Sequence, residues 1–146
     1  MTSARENGFS LIELMIVVGL VAVLAAMTIP QMAGAIKQYE LLTAGQQVVS
    51  TVRAARLQAV AKNMALTVRF DYPAAGQFQV VETADLVTPV GTPLTLGNDV
   101  AFDNPTDVDF TTSGRIAAPI TVTVTNGDDD YDRTISVSPS GQVRLQ

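Results

Sequence analysis

Apolar residues are distributed along this chain in three patterns. From Phe9 to Ile36, 21 of 28 positions are hydrophobic, and Glu13 is the single charged residue. As a helix rising about 1.5 Å per residue, the charge-free part from Leu14 to Ile36 reaches about 35 Å, enough to cross a bilayer core of about 30 Å. From Gln31 to Lys62 the pattern becomes one-sided. Leu41, Val48, Val52, Ala55 and Ala59 follow one another at spacings of 7, 4, 3 and 4, which form one stripe of a helix. Lys37, Gln38, Glu40, Gln46, Gln47, Arg53 and Gln58 occupy the other faces, and Asn63 is a left-handed stop. Beyond Asn63 the period falls to two. Leu66, Val68 and Phe70 alternate with Thr67, Arg69 and Asp71, and Phe78 and Val80 follow the turn at 72–76. Further strands are predicted at Val108–Thr111, Ile120–Thr125, Thr134–Val137 and Gln142–Leu145, separated by Gly, Pro, Asn and Asp clusters. Residues 84–105 read as loop with one or two short strands. The predicted class is α+β: a long N-terminal helix, with an apolar transmembrane half and an amphipathic half, packed on a mainly antiparallel β-sheet.

Other readings of the apolar segment fit less well. A secretory signal would carry a basic n-region and a shorter apolar core. Here only Arg5 precedes the run, with Glu6 beside it. A buried core helix would be far shorter than this segment and apolar on one side only. An ordinary membrane anchor fits the length but leaves Glu13 unexplained, since a carboxylate at the centre of a span costs about 2.5–3.5 kcal/mol.

Composition sharpens this division. The overall 47% of hydrophobic residues averages two regions, because residues 37–146 hold 46 such positions in 110, a normal globular share. The 146 residues include no Cys and no His. That excludes Ser-His-Asp and Cys-His catalysis, ordinary zinc sites and disulfides. Lys37 and Lys62, the only lysines, lie on the predicted helix, and the carboxylates gather in turn-like segments. No enzymatic activity and no cofactor are expected. Nine basic against fourteen acidic residues give a net charge of −5, which makes nucleic acid a poor generic partner.

Gly8-Phe9-Ser10-Leu11-Ile12-Glu13-Leu14 resembles the prepilin motif of type IV pilins and of the pseudopilins of type II secretion. The resemblance implies a leader, residues 1–8, cut between Gly8 and Phe9 by a membrane prepilin peptidase, with Phe9 then N-methylated. Residues 9–36 would remain as a single-pass inner-membrane anchor and later as the packed centre of a filament. Residues 37–146, helix 37–62 plus the sheet, would form a periplasmic globular domain. The implied partners are other pilins or pseudopilins, the prepilin peptidase and the inner membrane. Glu13 gains a role in this setting. The new amine at Phe9 lies four residues away, within helical reach, and in a filament the amine of an incoming subunit can pair with the Glu13 of the subunit ahead. Gly19 and Pro30 sit where the family carries helix-weakening residues, and proline removes one backbone bond.

Three looser motifs narrow the resemblance. Residues 54–59 on the helix, Phe110–Arg115 before a strand, and Arg133–Gly141 near the end are together similar to the FimT/GspH-like minor pilins and pseudopilins. The resemblance implies a structural minor pilin or pseudopilin of a secretion pseudopilus or a type IV pilus. The alternatives are a filament-tip module that binds DNA or a secreted substrate, and a single-span protein outside any filament. Some FimT-type pilins bind DNA through a Gly-Arg-x-Arg motif. The matching residues here are Gly141-Gln142-Val143-Arg144, so one arginine is replaced by Gln142. From position 70 onward only Arg115, Arg133 and Arg144 are basic, against eleven carboxylates, and DNA is not an expected partner. Arg53 and Arg56 on the helix read as a solvated face rather than a phosphate site. Alternating oxygens at Asn126, Asp128, Asp130 and Asp132 form a candidate calcium set, but the loop lacks the glycine and distal Glu of a twelve-residue calcium loop, so an acidic hairpin tip is expected.

Overall fold

The computed structural model describes residues 9–97, 99–127 and 132–146, with the side chains at 28–31 and 33 outside that description. The chain divides into two compact units, Met1–Ile36 and Lys37–Gln146. One helix, α1, runs from Leu11 to Lys62. Its first turn is set by the Ser10 carbonyl, which accepts from the N–H groups of Glu13 and Leu14 at 3.1 and 3.2 Å. Its end is a Schellman turn. Asn63 adopts φ 49°, its N–H donates to Val60 O at 3.3 Å, and the N–H of Met64 reaches back to Ala59 O at 3.0 Å. The left-handed stop expected at Asn63 is therefore present.

In the first unit the large apolar side chains from Phe9 to Met27 are all exposed, by 53% to 86%. Backbone helix continues through Gly19 and Pro30. Among the described residues no helix is long and apolar enough to cross a membrane. The side chains outside the description, 28–31 and 33, fall inside the segment predicted to span.

The second unit holds two four-stranded sheets where the alternation pattern predicts one. Strands β1 (Leu66–Phe70), β2 (Gln77–Glu82), β3 (Leu94–Thr95) and β5 (Val108–Phe110) form the first, in the order β3-β2-β1-β5. Strands β4 (Ala101–Asp103), β6 (Ile120–Thr125), β7 (Arg133–Val137) and β8 (Val143–Leu145) form the second, in the order β4-β6-β7-β8. Every pairing is antiparallel. The chain changes sheets between β3 and β4, between β4 and β5, and between β5 and β6; at the second of these Asn104 takes φ 45° and Pro105 has no N–H to continue a ladder. The two short strands expected within 84–105 are β3 and β4.

The helical stripe read from the sequence is the buried face of α1. Leu41, Val48, Val52, Ala55 and Ala59 are all covered, and Ala44 and Val49 join them. Strand side chains Leu66, Val68, Phe78, Val108, Phe110, Val122, Val124 and Ile135 complete the core. Three rings tie the sheets together. Phe102 of the second sheet meets Phe70 at 5.0 Å and Phe78 at 5.8 Å, both edge-on, while Phe70 and Phe78 stack at 6.2 Å. The buried Thr67 hydroxyl donates to Asp109 Oδ1 at 2.7 Å, and Arg69 lies 3.9 Å over the ring of Tyr72.

Two outcomes follow from this packing. Phe78→Ala removes a fully buried ring that touches both other aromatics, and is expected to cost about 3–5 kcal/mol in chemical denaturation of the detergent-solubilised chain followed by circular dichroism. In the turn after β2, the Asp85 carboxylate accepts from the Thr88 hydroxyl and from the N–H groups of Thr88 and Val87, which holds its pKa at about 2 instead of 3.8. Since the folded value is the lower one, the turn's contribution to stability is present above pH 3.8 and is lost as pH falls through about 2. Carboxyl chemical shifts should titrate with a midpoint near 2 in the wild type, and a midpoint at 3.8 would contradict the turn.

Candidate functional site

The three looser motifs noted in the sequence meet at one side chain, Arg56 of α1. Helical spacing keeps Val52, Ala55 and Ala59 in the core and leaves Arg53 and Arg56 at the flank. The half-buried Arg56 donates through Nε to Gly114 O at 3.0 Å. Gly114 belongs to the loop between β5 and β6, and Gly141 to the loop between β7 and β8. A Cβ built on Gly141 would stand 2.3 Å from Gly114 O and 2.6 Å from Arg56 Nε. No side chain fits there.

The two glycine loops share one construction. In Thr111-Thr112-Ser113-Gly114-Arg115, the N–H of Gly114 donates to Thr111 O at 2.8 Å, and the Thr111 hydroxyl donates to Arg115 O at 3.0 Å. In Ser138-Pro139-Ser140-Gly141-Gln142, the N–H of Gly141 donates to Ser138 O at 2.7 Å, and that of Gln142 to the Ser138 hydroxyl at 3.2 Å. Both glycines are left-handed, with φ 70° and 76°. The N–H of Ile116 joins the loops by donating to Pro139 O at 3.2 Å. A hydroxyl residue three positions before glycine was visible in both motifs, but their resemblance to each other was missed in the sequence.

Beside this joint a groove of about 390 Å³ runs between α1 and the segment entering β8, lined by Arg53, Arg56, Leu57, Gln142, Val143 and Arg144 among others. Arg53 donates through Nη2 to Val143 O at 2.9 Å. The solvated face expected at Arg53 and Arg56 is thus a pair of donors, Arg56 to the first glycine loop and Arg53 to strand β8. The sequence signal was weak, because the carbonyl partners lie up to 90 positions away.

The other candidates are scattered. Arg144 lines the groove, whereas Arg115 is exposed on the first glycine loop and Arg133 is half-buried at the start of β7. Gly8, Asp128 and Asp130 lie outside the described residues, Asn126 and Asp132 are half-buried, and no metal-holding cluster occurs among the described residues. Phe9 and Glu13 are both exposed. Gly19 faces open space, and the side chain of Pro30 lies outside the described residues.

An exposed apolar helix leading into a helix-on-sheet domain defines the class as pilin-like. The family model for type II transport protein GspH matches residues 44–141, and that for the prokaryotic N-terminal methylation motif matches residues 3–29. The chain belongs to the type II transport protein GspH family, among the GspH/FimT-like minor pilins and pseudopilins, which are structural subunits and not enzymes. Solved structures share its fold. The type IV minor pilin FimU of Pseudomonas aeruginosa is 17% identical, with a TM-score of 0.64 over 75% of this chain and 90% of that one. The minor pseudopilin EpsH of the Vibrio cholerae type 2 secretion system is 18% identical, with a TM-score of 0.56 over 73% and 96%. No curated protein matches the chain.

The joint makes a definite demand at Gly141. Gly141→Ala should cost about 2–4 kcal/mol, from left-handed strain plus the clash with Gly114 O. Gly127→Ala, at φ 81° with nothing within 4 Å, should cost only about 1 kcal/mol. Equal losses in denaturation of the two variants would show that the close approach is absent.

Proposed function

We propose that the chain is a minor subunit of a type II secretion pseudopilus or a type IV pilus, made as an inner-membrane prepilin. Cleavage between Gly8 and Phe9 and methylation of the Phe9 amine leave residues 9–36 as a single-pass anchor, with residues 37–146 as a domain in the periplasm. Assembly then transfers the same helix from lipid into a filament core, where it packs against other pilins or pseudopilins. The observation that carries this reading is the exposure of every large apolar side chain from Phe9 to Met27. Burying such a side chain is favourable by about 1.5–3 kcal/mol, so the segment needs an apolar surrounding on all sides.

Glu13 is the one charge in this segment and supplies register. It lies in the first turn of α1, where the helix dipole favours an anion. In the filament it meets the amine of an adjacent subunit, and a pair desolvated out of register leaves an uncompensated charge that costs about 3–5 kcal/mol. Gly19 and Pro30 lower the cost of local rearrangement as the helix changes surroundings.

The test compares wild type and Glu13→Ala expressed with the assembly machinery. Intact-mass analysis should find both starting at methylated Phe9, while Glu13→Ala should be depleted about tenfold or more from the filament fraction. A retained Met1 in the wild type would remove the prepilin reading. Normal incorporation of Glu13→Ala would remove the role in register and leave processing intact.

A further inference from the structure

Strand β8 is the edge of its sheet, paired with β7 on one side only. The residues that bond to β7 are fixed by the ladder. Gln146 exchanges both backbone bonds with Thr134, at 2.8 and 3.2 Å, and Ser138 N–H donates to Gln142 O at 2.9 Å. Antiparallel alternation then turns the backbone groups of Val143 and Leu145 toward the open edge. Of these, Val143 O is taken by Arg53. The N–H of Val143 and both backbone groups of Leu145 have no partner among the described residues.

This edge opens into the arginine-lined groove beside α1. A second hollow of about 270 Å³, lined by Gln46, Val49, Ser50, Arg53 and Leu145, shares Arg53 with the first, so the two follow β8 along most of its length. The helix wall of the groove is apolar at Leu57, which is 69% exposed, and Val60 is 51% exposed one turn on. Three of the nine basic residues of a chain with net charge −5 gather here, although only Arg144 comes from the strand.

We infer that the groove between α1 and β8 is a docking slot for an extended, carboxylate-bearing segment of a partner polypeptide, which adds as a strand to the β8 edge. Strand addition uses main-chain bonds for affinity and alternate side chains for specificity. Leu145 offers one donor and one acceptor at the spacing an incoming strand needs, and Val143 N–H offers another. Side chains directed to the α1 wall would meet Leu57 and the guanidinium of Arg53. A carboxylate is a stronger acceptor for that guanidinium than a carbonyl, so it can exchange Val143 O for the ligand and free that oxygen for the new strand. Charge complementarity selects an acidic segment. Duplex DNA fits the same arginines less well, because it cannot use the open N–H and C=O groups of the strand edge.

The inference does not rest on filament assembly, and its test is separate. The full chain in detergent micelles would be titrated with the peptide acetyl-Thr-Val-Asp-Val-Glu-Val-Thr-amide, followed by amide chemical shifts and hydrogen exchange. Expected results are shift changes centred on Val143 and Leu145, slowed exchange at both amides, and binding about tenfold weaker for Arg53→Glu. Peptide variants test the slot without altering the protein. Lysine in place of the two acids, or N-methylation along one edge of the peptide, should each weaken binding about tenfold, while N-methylation along the opposite edge should not. No binding at millimolar peptide, equal binding of the lysine peptide, or shifts elsewhere would overturn the inference. So would preferential binding of a 12-base-pair duplex to the same residues, or concentration-dependent self-association that moves the same amides.

Discussion

Around Arg56 three pieces of backbone come closer together than any side chain allows. The carbonyl of Gly114 receives the guanidinium, and the Cα of Gly141 lies so near that carbonyl that only hydrogen can face it. This approach fixes how the second half of α1 lies on the sheet that contains β7 and β8. It also sets the width of the groove, because Arg53, one helical turn earlier, reaches Val143 O from the same flank. The three looser motifs thus meet where the helix is held to the sheet.

One helix serves two physical environments. From Leu41 to Ala59 one apolar stripe of the helix is covered by strands of the same chain, so burial of that face is local. From Leu11 to Met27 they are bare, and that stretch has the composition of a core with nothing from its own chain to form one. The first arrangement stabilises a domain. The second makes the chain dependent on what surrounds it, which is the physical meaning of subunit character.

Much of this was legible in the sequence because it depends on local periodicity. The stripe through Leu41, Val48, Val52, Ala55 and Ala59, the stop at Asn63, and the alternation in 66–70 and 120–125 each follow from neighbours within a few positions. Three things were not legible. Division of the strands into two sheets depends on which strand accepts β4 and β5, and alternation carries no pairing information. The part played by Arg53 and Arg56 depends on carbonyls 90 and 58 positions away, and a carbonyl belongs to every residue. For the glycine loops, the hydroxyl and glycine were evident, but their mutual contact is a property of the assembled domain.

The same long-range contacts govern when the domain can close. The edge strand that completes the second sheet is latched to a helix made 90 residues earlier, and the aromatic trio joins Phe70 and Phe78 of the first sheet to Phe102 of the second. Such contacts form late, since the entropy of closing the intervening chain must be overcome first. During synthesis, therefore, the amphipathic half of α1 emerges with its apolar stripe uncovered and waits for β8. A chain inserted in a membrane by its first segment would meet that interval tethered, at high local concentration and with an open groove. Delayed closure thus exposes the nascent subunit to premature association until Val143 reaches Arg53.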